Sequence, residues 1–334
     1  MRRIFTACLA VLMLLYSFSC LAEESDNHVV LERDISDLHL TVDAYVNDTV
    51  PQEAKCYTVT PLLYDAVSLI SFFWPNDDFK AIKSSVSVLS DGIKKDGKSL
   101  YTEIYENKNG VLLLNFYEGT FYYATNFFKE WGYTHSDWNL TAPVEYEFNN
   151  SDYVEHLLNT LNRDFEVTQI YVYGIEETKE NGEMLRYNTV DYAVTIDGIK
   201  CDNHSRHIDL SRDEIYLPEQ HITVSFNERG LLSVKGCLYE ITDASAAERL
   251  MSCEEALEFW CKDLEYLFAS GDIVINSIAL SYMMTPIRGS ALSFTYVPAW
   301  KFQARIMRKE AWLPYNIQDG DEYAVNAITG KVID

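Results

Sequence analysis

Residues 252–268 read SCEEALEFWCKDLEYLF, and this stretch decides our prediction of the fold. Ser252 and Glu255 stand three positions apart, which is the spacing of a capping box at the start of a helix. Gly271 follows the predicted helix end, where glycine is common. The apolar residues between them recur at helical spacing, namely Ala256, Leu257, Trp260, Cys261, Leu264, Leu267 and Phe268. Strands are predicted after the helix near Val274–Met284, Leu292–Ile306 and Glu322–Ile333.

The same order of elements is predicted once more, upstream of this helix. Asp152 and Glu155 open a helix, and strands follow near Thr168–Ile175 and Leu185–Ile196. Thr223–Val234 and Tyr323–Ile333 both place a glycine between two alternating apolar segments. We interpret this order as an internal duplication, with two generic helix-plus-meander units as the alternative.

The N-terminal third is predicted to be a separate α+β domain. Leu38–Val46 alternates as a half-buried strand does, and Thr60-Pro61 reads as an N-cap followed by a helix that Trp74-Pro75 ends. Asp96-Gly97 and Asn109-Gly110 mark tight turns between strands. Residues 126–150 are aromatic and irregular, and we place a domain boundary there. The predicted organisation is a signal peptide over 1–22, an N-terminal domain over 23–150, and two units over 151–250 and 251–334.

Four C-terminal segments resemble a known group of domains. They are Ser252–Leu257, Ile278–Tyr282, Tyr296–Trp300 and Val325–Asp334. Together they resemble the PepSY-like and YycI-like domains of Gram-positive extracellular proteins, and most closely a clostridial-type secreted or lipoprotein family. The resemblance implies an α+β fold of tandem units, each a helix packed on a curved antiparallel sheet. It also implies an extracytoplasmic regulator, since YycI-like proteins restrain a sensor kinase and PepSY domains are regarded as modulators of peptidases. The chain departs from YycI-like proteins in its N-terminal segment, because they keep a transmembrane helix there.

The N-terminus has the pattern of an export signal. Arg2 and Arg3 precede an apolar run from Ile4 to Tyr16, and small or polar residues follow. The run is shorter than the roughly 20 residues that a spanning helix needs. Cleavage after Ala22 and lipidation of Cys20 as a bacterial lipoprotein both remain open. No later segment is predicted to span a membrane, so the protein is predicted to be secreted or anchored outside the cytoplasmic membrane.

Composition restricts the class of partner. The chain of 334 residues has 51 acidic and 27 Lys or Arg side chains, a formal net charge of −24. Nucleic acids and anionic membranes bind to clustered cations, so neither is a predicted partner. The cysteines form no Cys-x-x-Cys pair. Those beyond the signal are predicted to be mostly buried thiols, with a Cys201–Cys237 bridge as an alternative.

One stretch matches the phosphate-binding loop of nucleotide-binding proteins. Gly92-Ile93-Lys94-Lys95-Asp96-Gly97-Lys98-Ser99 has the required letters. Such a loop needs a helix after it, because the helix N-terminus holds phosphate. Leu100–Tyr105 is strand-like instead, so we predict a lysine-rich hairpin and no nucleotide site.

Three acidic or histidine clusters contain residue types that could form a site. His204 and His207, with Asp202 and Asp209 nearby, could bind a metal, but the stretch reads as a solvated loop. Glu254 and Glu255 could do acid–base chemistry, yet they satisfy a helix start more simply. Asp319, Asp321 and Glu322 could form a weak Ca²⁺ site, but they lack the spacing of a calcium-binding loop. We predict a polar turn there instead.

The aromatic residues are predicted to be structural. Trp300 is expected in a core, and so is the aromatic stretch of Tyr122, Tyr123, Phe127, Phe128, Trp131, Tyr133 and Trp138, for which peptide or sugar binding is the alternative. We therefore predict no catalytic, cofactor or metal residues. The predicted function is a non-enzymatic regulatory protein that binds an envelope protein or peptide. The alternatives are a small-ligand or metal-binding lipoprotein and an envelope hydrolase.

Overall fold

The structure is a computed structural model that describes most of the chain after the N-terminal segment. The described residues are 28–46, 50–76, 83–88, 94–95, 98–99, 101–116, 118–132, 136–161, 166–179, 181–201, 206–210, 213–217, 220–266, 270–287, 290, 293–306 and 322–333. The predicted signal peptide and the lipidation residue Cys20 lie outside them.

Strands dominate the first half of the described chain. The elements in order are β1 (His28–Ile35), β2 (Asp37–Tyr45), β3 (Glu53–Ala54), β4 (Tyr57–Pro61), α1 (Ala66–Phe73), β5 (Lys83–Val88), β6 (Lys94–Lys95), β7 (Lys98–Ser99), β8 (Tyr101–Glu106), β9 (Gly110–Asn115), β10 (Thr120–Thr125), α2 (Asn126–Gly132), β11 (Ser136–Thr141) and α3 (Asn150–Thr160).

The second half contains the longest strands. The elements are β12 (Glu166–Lys179), β13 (Met184–Ile196), β14 (Ile199–Cys201), β15 (Arg206–Leu210), β16 (Asp213–Leu217), β17 (His221–Asn227), β18 (Gly230–Cys237), β19 (Tyr239–Ala244), β20 (Glu248–Arg249), α4 (Cys253–Tyr266), β21 (Ser270–Pro286), β22 (Phe294–Ile306), β23 (Glu322–Asn326) and β24 (Val332–Ile333).

The chain forms two compact units, each built from separate stretches of sequence. The first comprises Met1–Val50, Met251–Ala279 and Trp300–Asp334, and the second comprises Pro51–Leu250 and Leu280–Ala299. In the first unit, β1 and β2 form an antiparallel pair, and β2 runs parallel to β21 from Asp37↔Ser270 to Val42↔Ile275. Helix α4 buries Trp260 there, with ring centroids 5.9 Å from Phe302 and 4.8 Å from Tyr323.

The second unit contains an antiparallel sheet that ends at β11. Its hydrogen-bonded strands follow in the order β5-β8-β9-β10-β18-β17-β13-β12-β11. One face is buried under α1 and α3, which contribute Leu69, Phe73, Val154 and Leu157 to the core. On the opposite face, Phe127 and Phe128 of α2 pack against a smaller apolar cluster. The edge of this sheet at β11 and β12 positions the candidate site.

The predicted fold class, tandem units of a helix on a curved antiparallel sheet, was wrong. Most described residues lie in strands, and the strands that follow the two capped helices pair differently. After α3, β12 pairs antiparallel with β13, whereas after α4, β21 pairs parallel with β2 and with β14. Periodicity predicts an element and the face that it buries, but not its pairing partner, so the internal duplication has no support in the pairings.

Two local predictions in the N-terminal third also need correction. Thr60 and Pro61 end strand β4 instead of capping a helix, and Asp65 caps α1 by accepting a hydrogen bond from the Val67 N–H. The stretch predicted to be irregular contains α2 and β11. Within the described residues, none of the helices combines the length and apolar character that crossing a bilayer requires.

Candidate functional site

The candidate site forms where the chain leaves the sheet edge. Strand β11 pairs with β12 from Ser136↔Lys179 to Thr141↔Gly174 and goes no further. The chain then crosses to the α3 side, where the buried Asn188 side chain accepts a hydrogen bond from the Val144 N–H at 2.9 Å and donates one to the Val144 carbonyl. Gly174 permits the crossing, because a Cβ there would lie 2.5 Å from the Ala142 carbonyl oxygen.

A groove lies beside the point where β11 stops. Its volume is about 620 Å³. We call it the β12 groove, and its lining residues are Leu140, Tyr171, Val172, Tyr173, Ile175, Glu177 and Tyr187. Leu140 is 65% exposed, Tyr171 66% and Val172 40%. Large apolar side chains are therefore held in contact with water at a sheet edge.

The floor of the β12 groove is anchored in the smaller apolar cluster. Tyr187 is buried and meets the ring of Phe128 edge-on, with centroids 5.4 Å apart. Its hydroxyl donates a hydrogen bond of 2.6 Å to Glu177 Oε1 on the neighbouring strand. Burial, with this carboxylate as the next cause, raises the pKa of Tyr187 well above its usual value. Tyr187 is thus a neutral, fixed donor at the base of an otherwise apolar surface.

Tyr173 extends the same face toward the open end of the groove. Burial raises its pKa, and the nearby Asp191 carboxylate raises it further. Asp191 also accepts a hydrogen bond of 2.7 Å from Thr223 Oγ1. The Asp191 carboxylate and the Tyr173 phenol interact, so the Tyr173 ring is held in a defined orientation.

The charge around the groove is negative. Strands β12 and β13 carry the carboxylates of Glu166, Glu176, Glu177 and Asp191, and the cations of Lys179 and Arg186. Both cations form ion pairs, Lys179 with Glu183 at 3.4 Å and Arg186 with Glu176 at 3.0 Å. The two strands together therefore have a net charge of −2, from four carboxylates and two cations.

A polar cleft of about 470 Å³ lies on the same unit. Its lining includes the Arg186–Glu176 pair together with Arg229, whose guanidinium lies 4.5 Å from the centroid of the Phe127 ring. Arg186 is paired with a carboxylate, and Arg229 lies over an aromatic ring. We therefore assign these two cations a structural role and do not treat the cleft as the candidate site.

The stretch that matches the phosphate-binding pattern has the hairpin form that we predicted from the sequence. Lys94 pairs with Ser99 and Lys95 with Lys98, as two short antiparallel strands. The chain continues into strand β8, where a nucleotide site would need a helix. The turn residues Asp96 and Gly97 lie outside the described residues.

The other titratable clusters lie partly in strands and partly outside the described residues, and Glu322 begins strand β23. His207 and Asp209 lie on strand β15, paired with β16, so the loop prediction was wrong for this part; Asp202 and His204 lie outside the described residues, as do Asp319 and Asp321. Where the structure describes the chain, no group of three or more His, Cys, Asp or Glu side chains could hold a metal ion.

Ser252 and Glu255 form the predicted capping box at the start of α4. The Ser252 N–H donates to Glu255 Oε2 at 2.8 Å, and the Glu255 N–H donates to Ser252 Oγ at 3.2 Å. A hydrogen bond from its own backbone N–H lowers the pKa of Glu254, and the Ser252 side chain lowers it further. Both carboxylates serve the helix start.

The described cysteines are free thiols. Cys56 is half-buried, and the others are buried, namely Cys201, Cys237, Cys253 and Cys261. The prediction of buried thiols is confirmed for these four, and the alternative Cys201–Cys237 bridge is absent. Burial raises the pKa of Cys253 to about 12 and that of Cys261 to about 11.

The prediction of core aromatic residues is confirmed for Trp300 and Tyr123, whereas Phe127 and Phe128 are partly buried against the smaller apolar cluster and Tyr122 is half-buried. Trp300 is buried, and its Nε1 donates to the Met251 carbonyl at 3.0 Å. Tyr123 stacks on Phe73 with centroids 4.2 Å apart. Trp131, Tyr133 and Trp138 lie outside the described side chains.

Sequence reasoning missed the β12 groove. The strand itself was predicted, but Ile170–Tyr173 is a continuous apolar run, which is typical of a buried strand. Gly174 was the available signal, because a glycine inside a strand often marks a close backbone approach. The chain crosses at Gly174 and does not continue along this run, in which Tyr171 and Val172 are exposed.

Comparison with known proteins shows a shared fold. No protein-family model and no curated protein matches the chain. The chain is similar to an uncharacterized protein from Eubacterium rectale ATCC 33656, with a TM-score of 0.59 and 12% identity over 91% of this chain and 93% of that one. It also matches YycH from Bacillus subtilis, with a TM-score of 0.35 and 10% identity over 86% of this chain and 59% of that one. The resemblance to PepSY-like and YycI-like domains stays a prediction.

Proposed function

We propose that this protein is an extracytoplasmic, non-enzymatic binding protein that contacts an envelope protein or peptide through the β12 groove and modulates it. The observation that carries the proposal is the groove itself, where Leu140 and Tyr171 are 65% and 66% exposed beside the half-buried Tyr173. Exposed apolar residues grouped in this way are typical of interaction sites.

Binding in the β12 groove would be favourable, because an occupant would remove apolar side chains from water. Covering a large apolar side chain is worth about 1.5–3 kcal/mol, and Leu140 and Tyr171 both have most of their surface to cover. Tyrosine is also enriched among the residues that dominate binding, because it buries a large area with little loss of conformational freedom. Tyr187 adds a rigid base, since its ring and hydroxyl are both held.

The extracytoplasmic location is supported by the sequence. The basic start, the apolar run and the small-residue zone before Glu23 have the arrangement of an export signal. Cleavage after Ala22 would release the protein, whereas lipidation of Cys20 would anchor it. Either route would bring the β12 groove to envelope proteins.

A binding role is also consistent with the burial of the cysteine thiols and with the hydrogen bonding of the carboxylates at the start of α4. Burial raises the pKa of the Cys56, Cys253 and Cys261 thiols, which disfavours the thiolate that a nucleophile requires. The carboxylates of Glu254 and Glu255 are engaged in the cap of α4. These groups support the structure in ways that leave them unsuited to catalysis.

A second candidate uses the same groove for a small apolar ligand. Its volume of about 620 Å³ lies within the range of roughly 300–1,000 Å³ that small-molecule sites occupy. The open position at a sheet edge favours a macromolecular partner, because a small ligand there would keep much of its surface in water.

Site-specific photo-crosslinking tests the proposed function. A photoreactive phenylalanine analogue would replace Tyr171 in the producing cell, and a second strain would carry it at Ile241, which is 41% exposed on β19. We expect one defined envelope protein to crosslink at position 171 only, and the crosslink to disappear when Leu140→Asp is added. Equal capture at both positions, or none at position 171, would reject the proposal. A co-purifying small molecule displaced by Leu140→Asp would favour the second candidate.

A further inference from the structure

We infer that the outer edge of β12, over residues 166–173, takes up an extended cationic peptide segment of a partner protein as an added strand. The inference rests on the proposed binding function and specifies its mode and the chemistry of the partner. Strand addition combines main-chain hydrogen bonds along a sheet edge with side-chain pockets that read alternate residues.

The first support is an uncovered sheet edge. On its inner side, β12 pairs with β13 from Glu166↔Thr195 to Thr178↔Met184. On its outer side, β11 covers only Gly174 to Lys179. Among the described residues, no strand pairs with the outer side of Glu166–Tyr173, which at ~3.4 Å per residue is an edge of about 27 Å. Such an edge presents backbone N–H and C=O groups without strand partners.

The second support is that the side chains along this edge are open to solvent. Glu166, Thr168, Gln169, Tyr171 and Val172 are all exposed. The segment that follows β11 does not cover them, because it crosses at Gly174 and is fixed on the other side of the strand by Asn188. The outer edge of residues 166–173 is therefore open because the chain after β11 crosses β12 at Gly174 and does not continue beside it.

The third support is the position of the groove. Tyr171, Tyr173 and Ile175 alternate along β12 and so share one face of the strand, which Leu140 of β11 joins through its pairing with Ile175. An added strand beside residues 166–173 would lie next to this face. Its alternate apolar side chains would then cover Tyr171 and Leu140.

The shape of the edge adds a constraint. The register of β12 shifts between Gln169 and Tyr171, which is a β-bulge at Ile170. A bulge bends a strand and increases its twist, and it discourages flat edge-to-edge pairing. An occupant must follow this bend, so a flexible peptide segment fits better than the rigid edge of another sheet.

The charge of the edge selects the occupant. The two cations of β12 and β13 are paired with Glu183 and Glu176. The other carboxylates of these strands are Glu166, Glu177 and Asp191. Because of the bulge at Ile170, Glu166, which pairs with Thr195, lies on the same face as Tyr171, which pairs with Asp191. A lysine or arginine of the added strand that faces Glu166 would therefore complement its charge, while the apolar residues face Tyr171 and Leu140. A second copy of this chain would bring a formal charge of −24 to the same edge, so self-pairing is disfavoured.

The experiment uses the purified protein and a fluorescent decapeptide with valine at the positions that would face Tyr171 and Leu140 and lysine at the other positions, including the one that would face Glu166. Two isomers carry N-methyl groups on alternate amides, one isomer on each edge of the extended peptide. Fluorescence anisotropy measures binding of all three. We expect the unmethylated peptide to bind and one isomer to lose at least tenfold in affinity, because only one edge of the peptide faces β12. Equal affinities for all three peptides, or equal losses for both isomers, would overturn strand addition.

The charge requirement is tested with matched changes on peptide and protein. A decapeptide with glutamate in place of lysine should bind at least tenfold more weakly. Glu166→Gln should weaken binding of the lysine peptide severalfold, whereas Glu155→Gln, the same change at an exposed position of α3, should have no effect. Equal binding of the acidic peptide would overturn the cationic assignment.

The groove and the edge are tested in the same titration. Tyr171→Ala should reduce affinity for the lysine peptide at least fivefold, and Ile241→Ala should not. Amide hydrogen exchange should slow at alternate residues within 166–173 when the peptide is bound. A concentration-dependent dimer abolished by Tyr171→Asp would overturn the proposal in favour of a second copy as the occupant.

The two proposals can fail separately. If position 171 crosslinks to an envelope protein while the peptides show no dependence on one edge, the binding function stands and strand addition is rejected. If edge-dependent peptide binding is found but no envelope protein crosslinks at position 171, the edge is competent and the proposed cellular function is rejected.

Discussion

Replacing Gly174 by alanine would put a methyl group into space that the crossing segment occupies. The added Cβ would lie 2.5 Å from the Ala142 carbonyl oxygen and 2.5 Å from Thr141 Oγ1. Cβ contacts under 3.0 Å are essentially never found, so these atoms must move by at least 0.5 Å, the difference between 3.0 and 2.5 Å. The Ala142 atom is part of the backbone, so rotation of a side chain cannot relieve both contacts.

The cost follows from what holds the crossing segment. Asn188, 4% exposed, bonds both the N–H and the carbonyl of Val144. Overpacking alone costs about 1–3 kcal/mol, and weakening a hydrogen bond at a buried amide costs about 1–3 kcal/mol. Both costs contribute, because the segment must move away from residue 174 while Asn188 holds it, and partial relaxation keeps the total in the lower half of their sum. We therefore expect Gly174→Ala to lower the free energy of unfolding by about 2–4 kcal/mol.

Urea unfolding followed by circular dichroism measures this loss, with two further variants for comparison. Gly182→Ala is the matched control, because its Cβ would meet nothing within 4 Å but the residue has a φ of +80°, a conformation that costs about 1–2 kcal/mol for other residues. Asn188→Ala releases the crossing segment, so the double variant should be less destabilised than the sum of the singles by at least ~1 kcal/mol. If Gly174→Ala costs no more than Gly182→Ala, or if the two losses add, the close crossing is refuted.

Three further predictions concern the helix cap and the thiols. Ser252→Ala removes the acceptor of the Glu255 N–H and should lower the free energy of unfolding by about 1 kcal/mol in the same urea assay; no loss would contradict the capping box. The pKa of Glu254 is lowered from its ordinary 4.5, so its contribution to stability is present above that pH and is lost as the pH falls through the lowered pKa. Glu254→Gln should therefore be less stable than wild type at pH 7, with a gap that closes in acid, and a gap independent of pH would contradict this. At pH 8 a thiol reagent should label Cys56 before any buried cysteine, and mass spectrometry that finds early labelling of Cys253 or Cys261 would contradict their burial.

Local structure was predictable where neighbouring residues decide it. The Ser252–Glu255 capping box depends on two residues three positions apart, and the structure contains both of its hydrogen bonds. The lysine-rich hairpin at Lys94–Ser99 and the buried Trp300 were likewise predicted from short patterns. In each case the decisive contacts require little or no knowledge of how distant strands pair.

The architecture was not predictable in this way, because it depends on partners far apart in sequence. Helix α4 begins after residue 252, but the strand that follows it runs parallel to β2, more than 200 residues earlier. An alternating apolar pattern shows which face of a strand is buried, but any neighbouring strand that covers that face is compatible with it. Thr60-Pro61 failed for a related reason: the motif of a helix start also suits a strand end, and Asp65 provided a better cap.

The candidate site was missed because exposure depends on chain path. Ile170–Tyr173 is apolar enough to be read as buried, but Tyr171 and Val172 are exposed, and β11 does not continue along this part of β12. It does not continue, because Gly174 allows residues 142–144 to cross the strand and Asn188 holds them on the far side. A sequence pattern records that Gly174 has no side chain, but not which backbone occupies the space.

The acidity of the chain has a specific consequence at this edge. An open strand edge beside exposed Tyr171 and Leu140 is the kind of surface that pairs with itself and aggregates. Strands β12 and β13 have more carboxylates than cations, and both cations are already in ion pairs. Like charges therefore oppose self-pairing, while the same field favours a cationic segment and weakens as salt is added. An edge that repels a second copy and binds a cationic peptide would explain how the protein keeps an apolar groove exposed to water. It also predicts that the same increase in salt concentration lowers peptide affinity and promotes self-association of the protein.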